Sequence, residues 1–247
     1  MNIAPLPCVQ SLVSQAAEPY KPFGRYAWHF AKGKLGSDPV FAYLVAEGLL
    51  RNRPRILDIG CGRGLLASWL LSAQASAARG QWPDGWPPAP NIARIRGIEL
   101  MANDVVRAKQ ALAPAVKSGH AEFVLADMCS IDFGQADAVV ILDVLHYVSI
   151  AAQDDVLQRV RHSLEPGGVL ILRVGDADGG LRFLISTWVD HFVTTLHGHH
   201  LGKLRCRPLT AWRSALQSLG FTVESRPMSQ GTPFANVLLI ARLPATA

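Results

Sequence analysis

Residues 56–67 read Ile-Leu-Asp-Ile-Gly-Cys-Gly-Arg-Gly-Leu-Leu-Ala, and the rest of the chain is organised around them. Residues of buried-strand character run into Gly60, Gly62 and Gly64, and an apolar-periodic segment follows at once. A strand, a glycine turn and a helix start are the parts of a nucleotide-binding loop. Glycine belongs there because the backbone must take positive φ and let a ligand approach with no Cβ in the way. The spacing narrows the choice. A dinucleotide fingerprint needs a third small residue where Leu65 stands, and a Walker loop needs a Gly-Lys-Ser/Thr that is absent. Asp58, beside the turn, would repel a pyrophosphate but suits a cationic amino-acid moiety. Taken alone, the glycine run fits a nucleotide loop or an ordinary tight turn.

The chain of 247 residues suits one α/β domain with a large core. The longest apolar run, near residues 139–150, is broken by Asp143 and His146, so no membrane span is expected. Residues 1–20 lack a basic start and contain Pro5 and Pro7, which argues against a signal peptide. Cys8, Cys61, Cys129 and Cys206 show no C-x-x-C pairing and read as free thiols of a cytoplasmic protein. The formal charge of +5 permits an anionic partner without demanding one.

Residues 1–38 read as a leading segment or lid. Within it Lys21, Arg25, Lys32 and Lys34 interleave with Phe23, Tyr26, Trp28 and Phe30. Asp38 can cap a helix with Pro39 at its first position, running to about residue 50. Residues 39–247 then form the main domain. Strands are expected at 55–59, 93–98, 122–126, 137–142 and 169–174, with helices between them at 65–75, 103–113 and 150–164. Pro114 marks the expected end of the second of these helices. Residues 76–91, rich in Gly, Pro, Ala and Trp, read as a loop insertion. Residues 177–209 read as a helical cover, with apolar residues at helical spacing over 181–196. Thr210 can cap a last helix that Gly220 terminates, and strands at 221–225 and 235–242 close the chain, the second antiparallel. The architecture is α/β: a doubly wound, mostly parallel sheet with helices on both faces.

In such a sheet, ligands bind beyond the carboxyl ends of the strands. Those ends carry Asp58, Glu99, Asp127 and Asp143. A lone acidic residue after a strand is usually a turn or cap, but a series in register after successive strands makes coincidence a poor account. Glu99 can accept ribose hydroxyls, and Asp127 can accept an exocyclic adenine amine, with Met128 offering an apolar face for the ring.

With these motifs in this order, the chain resembles the class I S-adenosylmethionine-dependent methyltransferases over about residues 54–242. The resemblance rests on Leu57-Asp58-Ile59-Gly60-Cys61-Gly62-Arg63-Gly64, Gly97-Ile98-Glu99-Leu100, Ala126-Asp127-Met128, Leu142-Asp143-Val144-Leu145-His146-Tyr147 and Leu164-Glu165-Pro166-Gly167-Gly168. It implies a Rossmann-like, seven-stranded sheet and S-adenosylmethionine as cofactor. It further implies that Asp58, Gly60, Cys61 and Gly62 surround the methionine portion and Glu99 the ribose. Leu100 and Met128 would flank the adenine, Asp127 would take its amine, and the carbonyl near Asp143 would line the methionine end. The spacing from Gly64 to Glu99 exceeds the family's by about the length of the 76–91 insertion.

His146 and Tyr147 fall where the family places substrate-facing side chains, and His29 in the leading segment is a further candidate for orienting or deprotonating an acceptor. An ordinary hydrogen-bonded histidine is the competing explanation for each. His197, His199 and His200 have no acidic partner at ligand spacing, so no metal is expected. The expected acceptor is a small molecule. Residues 24–35, Gly-Arg-Tyr-Ala-Trp-His-Phe-Ala-Lys-Gly-Lys-Leu, resemble the leading part of methyltransferases of aryl-polyene and polyketide-type biosynthesis, and that resemblance implies an aromatic or acyl acceptor, free or held on an acidic carrier protein. Lys21, Arg25, Lys32 and Lys34, with Lys203, Arg205, Arg207 and Arg213, could steer such an anionic partner, or form only a solvated rim. No membrane and no nucleic-acid partner is expected, and a homodimer is left open. The alternatives are an RNA or protein methyltransferase and a non-catalytic cofactor-binding protein.

Overall fold

The computed structural model describes residues 7–175, 205–229 and 236–245. The expected cover at 177–209 and the histidines at 197–200 therefore lie, apart from residues 205–209, outside the described residues. Seven strands form a mostly parallel sheet with one antiparallel strand. The chain clusters into two compact units, Met1–Met128 and Cys129–Ala247. No helix among the described residues is long and apolar enough to cross a membrane.

The first unit opens with α1 (Pro7–Ala17), a 3-10 turn (Glu18–Phe23), α2 (Arg25–Ser37) and α3 (Pro39–Ala46). Asp38 caps α3 as its sequence position predicts, accepting a 3.2 Å hydrogen bond from the Val40 amide. The helix stops at Ala46, short of residue 50, because Gly48 turns left-handed and its amide bonds back to the Val45 carbonyl. β1 (Arg55–Ile59), β2 (Arg94–Glu99) and β3 (Ala121–Leu125) are parallel in the order β3-β2-β1. α4 (Leu65–Ala78) follows β1, running past the expected residue 75, and packs against α1. The 79–93 connection is folded on itself: Trp82 Nε1 donates to the Pro87 carbonyl at 2.8 Å and stands edge-on to Trp86. α5 (Ala102–Ala111) is followed at once by α6 (Ala113–Lys117). Pro114 sits in the first turn of α6, where the missing amide hydrogen costs nothing, and so starts a helix as well as following one.

The second unit holds β4 (Ala136–Leu142), a 3-10 turn (Leu145–Tyr147), α7 (Ile150–Ser163), β5 (Leu164–Gly175), α8 (Leu209–Ser218), β6 (Thr222–Pro227) and β7 (Asn236–Arg242). β4 and β5 are parallel, and β7 is antiparallel to both β5 and β6. Consecutive residues Ala138, Val139, Val140 and Ile141 are all buried, the mark of a strand covered on both faces. Each large aliphatic side chain so buried contributes roughly 1.5–3 kcal/mol. The partner of Ala136 is Leu164, but that of Ala138 is Val169, so residues 165–168 bulge out of the ladder between them. The strand expected at 169–174 therefore begins earlier, at Leu164, and Pro166-Gly167-Gly168 lies within it. α8 begins after Pro208, and Thr210 lies inside it, not at its cap.

Candidate functional site

In the first unit the glycine loop hangs on the end of β2. The amides of Gly60 and Cys61 both donate to the Ile98 carbonyl, at 2.8 and 3.1 Å. Gly60, Gly62 and Gly64 all have positive φ, so the loop coils tightly before α4 begins. Gly97 explains how the loop can lie so close. A Cβ there would stand 2.6 Å from Cys61 Sγ and 2.8 Å from the Phe123 ring, so only glycine admits both neighbours. At Gly62 the opposite holds. A Cβ would meet nothing within 4 Å, so this part of the loop faces open space.

Glu99 joins the loop from the end of β2. One carboxylate oxygen accepts from the Gly62 amide and the other from the Met101 amide, each at 2.9 Å. Each oxygen keeps a lone pair for a further donor. The Ala126 amide donates to the Glu99 carbonyl at 3.0 Å, which brings Asp127 and Met128 to the same edge of the unit. Leu100 is 60% exposed there, and Asp127 is exposed as well.

Asp58 is 4% exposed, and its Oδ2 has no hydrogen-bond partner. Burial first, and the Glu99 charge second, push its carboxyl up to about 8. An orphaned acid beneath a glycine loop is costly, and such groups concentrate where a ligand supplies the missing charge. Burial also pushes the Cys61 thiol up, helped by Asp58 and Glu99. Cys61 is thus an inert buried thiol that shapes the loop.

Sequence reasoning did not foresee the supports behind the loop. The Tyr20 hydroxyl donates to the Arg63 carbonyl at 2.9 Å. Arg63 Nε bonds Asp104 at 3.1 Å, and its guanidinium lies 4.9 Å from the Phe30 ring centroid. Ser68 on α4 donates to the Ala16 carbonyl at 2.6 Å. The leading segment therefore braces the loop directly. His29 is exposed on α2 with its ring 4.6 Å from that of Trp28; its neighbour Phe30, not His29 itself, reaches the loop's Arg63. A separate groove of about 690 Å³ runs along β3, lined by Arg94, Lys109, Phe123 and Leu125 among others, and takes in none of the loop residues.

In the second unit, Asp143, His146 and Tyr147 follow β4 closely. Asp143 has φ +60, and Arg173 grips both its carboxylate oxygens, through Nε at 2.9 Å and through Nη2. His146 is 9% exposed with Nε2 unpartnered, and its ring lies 4.2 Å from that of Tyr147. Burial lowers the His146 pKa, while the Asp143 charge opposes the shift. The imidazole is accordingly neutral near pH 7, with one nitrogen able to accept a proton.

Several of the cations read as steering groups are committed elsewhere. Arg207 is buried, paired with Asp154 at 2.7 Å and stacked 4.9 Å over Trp212. Lys21 pairs with Glu18 and Lys34 with Asp38, each at 2.8 Å.

The profile of the methyltransferase domain family matches residues 27–226. The chain belongs to the methyltransferase domain family. Its sheet is the Rossmann-like methyltransferase fold, as solved structures bear out. An O-methyltransferase family protein from Burkholderia thailandensis aligns with a TM-score of 0.64 at 17% identity, covering 90% of this chain and 60% of that one. The magnesium protoporphyrin IX methyltransferase of Synechocystis PCC 6803, with bound SAH, aligns with a TM-score of 0.58 at 18% identity, covering 95% and 97%. Human N-acetylserotonin methyltransferase in complex with SAM gives 0.59 at 16% identity, covering 98% and 61%. At these identities the likeness is one of fold. A curated relative, the carboxy-S-adenosyl-L-methionine synthase of Chromohalobacter salexigens, is 28% identical over 129 residues. That stretch is 52% of this methyltransferase-family chain and 43% of the relative, so the match spans less than half the relative's length.

Proposed function

We propose that this chain transfers a methyl group from S-adenosylmethionine to a small-molecule acceptor of aromatic or acyl type. The observation that carries the reading is the loop itself: open space at Gly62, two oxygens of Glu99 set beside it, and the orphaned Asp58 beneath. These features fit the cofactor's ribose and its cationic amino-acid end.

When bound, the cofactor supplies an activated methyl group on a sulfonium, so the protein need not provide a nucleophile. The remaining work falls to the chain. Glu99 would accept hydrogen bonds from the ribose hydroxyls, and Asp58 would meet the ammonium as a carboxylate, its proton released to solvent on binding. Gly60, Cys61 and Gly62 supply the wall of the loop. Leu100 and Met128 enclose the adenine, and Asp127 accepts its amine. Asp143 lines the methionine end through its backbone, since Arg173 engages its carboxylate. His146 Nε2 accepts a proton from an acceptor hydroxyl where one must be lost, and Tyr147 orients the acceptor beside it. His29 and the leading segment cover the acceptor.

The finer reading of the acceptor rests on α2. This helix buries only Ala27, Ala31 and Leu35 and leaves Tyr26 67% and Phe30 41% exposed among Arg25 and Lys32. An aromatic and cationic face of that kind suits an acidic carrier protein presenting an acyl or aryl group. A cytoplasmic setting and a homodimer belong to the same proposal.

Calorimetry with S-adenosylhomocysteine tests the cofactor assignment. The wild type should bind, and Glu99→Ala should bind roughly tenfold to a hundredfold more weakly as charge-assisted hydrogen bonds are lost. Equal binding by the variant removes Glu99 from the site. Radiolabelled methyl transfer to a panel of phenols and carboxylates, free and carrier-bound, then tests the acceptor class. Labelling of RNA or protein alone would replace it, and binding with no transfer at all would favour a non-catalytic binding protein.

A further inference from the structure

Arg173 is 2% exposed near the end of β5, between Leu172 and Val174, which are buried as well. Arginine is almost never buried so deeply without a specific partner. Here Asp143 is one such partner, held at two points. Nε and Nη2 meet one carboxylate oxygen each, and the Asp143 amide donates back to the Arg173 carbonyl at 3.3 Å. The sheet register makes this possible, since Leu142 on β4 lies opposite Arg173 and Asp143 is the next residue.

Stability alone does not account for such a pair. Withdrawing the guanidinium from water costs several kcal/mol, and the Asp143 side chain facing it stays 33% exposed, so the pair is a weak source of stability. What the pair does hold is a conformation. Asp143 has φ +60, one of two non-glycine residues with positive φ among the described residues, and a side chain makes that region unfavourable. Immediately after it the chain enters the 3-10 turn that carries His146 and Tyr147. A relaxed φ at Asp143 would swing that turn away from the end of β4.

The geometry points to Arg173 as a positioning residue of the methyl-transfer site: its grip on both Asp143 oxygens holds the left-handed turn that presents His146 and Tyr147. The assignment rests on the proposed role of those two residues. It explains an arginine among the apolar residues of 169–174, and it makes the Asp143 side chain a structural anchor while its backbone faces the site.

A double-substitution series separates a conformational hold from simple charge balance. The readout is the NMR signal of the His146 ring in histidine-labelled protein, assigned by its loss in His146→Gln; it needs neither acceptor nor turnover. Arg173→Met should displace the His146 signal, and Arg173→Lys, which keeps the charge and one donor, should displace it less. Arg173→Met with Asp143→Gly should return the signal towards wild type, because glycine adopts positive φ freely. Arg173→Met with Asp143→Ala should leave it displaced. Both double variants lack the whole ion pair and leave no charge unpartnered by the substitution, so they remain informative where a single variant fails to fold. Where an acceptor is in hand, Arg173→Met should slow transfer about a hundredfold, the effect of a displacement near 1 Å. An unmoved His146 signal in Arg173→Met overturns the inference, as does equal recovery in the two double variants. Normal turnover by His146→Gln would instead overturn the role given to His146 and leave the positioning result standing.

Discussion

The Tyr20 hydroxyl reaches 2.9 Å to the backbone carbonyl of Arg63, tying the leading segment to the glycine loop across 43 residues of sequence. Tyr20 is 1% exposed, and burial pushes its phenol up, so it stays a neutral donor. The segment before the core is therefore part of the wall behind the glycine loop as well as a candidate cover. Tyr20→Phe should cost about 1 kcal/mol in thermal or denaturant unfolding. It should also weaken S-adenosylhomocysteine binding by about fivefold as the loop loosens. Removing residues 1–34 should lower cofactor affinity and stability together, because Ser68 and Arg63 lose their partners in Ala16, Tyr20 and Phe30. If the truncated chain binds S-adenosylhomocysteine like the full chain, the bracing role is wrong.

Asp58 should trade stability for binding. Its carboxyl rises from the ordinary 3.8 to about 8 on folding. Between those values the unfolded chain is ionised while the folded one holds a proton. Its contribution thus turns unfavourable as pH rises from 4 to 8 and is constant above. Asp58→Asn lacks this penalty. The variant should melt at a higher temperature than the wild type at pH 8, with the gap closing towards pH 4. It should nonetheless bind S-adenosylhomocysteine less tightly, having no anion to offer the ammonium. A melting-temperature gap that does not change with pH would show that Asp58 does not titrate as its burial implies.

Gly97 sets how closely the loop approaches the sheet. An added methyl group would lie 2.6 Å from Cys61 Sγ and 2.9 Å from Cys61 Cβ, with Phe123 closing the other side. Cys61 cannot withdraw without moving the loop that carries it, and Phe123 is fixed in β3. Gly97→Ala should destabilise the chain by roughly 1–3 kcal/mol and weaken the cofactor site. Wild-type melting and binding in that variant would mean that the loop has slack the packing does not show.

The fold was legible where local chemistry decides it. Asp38 before Pro39 announced a cap, the glycine loop announced the turn after β1, and the apolar run at 137–142 announced a strand covered on both faces. Glu99 and Asp127 were legible as a series because they end adjacent strands. The misreadings arose where one residue type serves two roles: Pro114 opens a helical turn as readily as it closes one, and Thr210 can cap a helix or sit inside it. What stayed hidden depends on register or distance in sequence. Arg173 meets Asp143 only because β4 and β5 align Leu142 with Arg173, and Tyr20 meets Arg63 only once α1 and α2 pack. Arg173 did leave a trace, a lone charge within the apolar run of residues 169–174, but nothing in the sequence names its partner. Arg207 misled in the other direction: a cation in a basic stretch looks solvated, whereas burial and three partners remove it from any steering role.

Gln153 is the junction of the polar network beneath His146, and its substitution gives the most specific expectation. It is fully buried on α7. Its amide nitrogen donates to the carbonyls of Arg205 at 2.8 Å and Val148 at 3.3 Å, and its oxygen accepts from Arg207 Nε at 2.8 Å. Arg207 also donates to the Ile150 carbonyl, while the Arg205 amide donates to the His146 carbonyl at 2.9 Å. One side chain thus fastens residues 205–207 to the start of α7 and to the turn that bears His146. Gln153→Leu preserves volume but orphans two carbonyls and an arginine donor. That should cost roughly 3 kcal/mol, or about 6–12 °C in melting temperature for a chain of this size. Gln153→Glu should fall between leucine and wild type, since it keeps the acceptor for Arg207 and loses the donor to Arg205. Both variants should displace the His146 ring signal, because its carbonyl is held through Arg205. If Gln153→Leu melts with the wild type and leaves that signal in place, the network is incidental to how the turn is held.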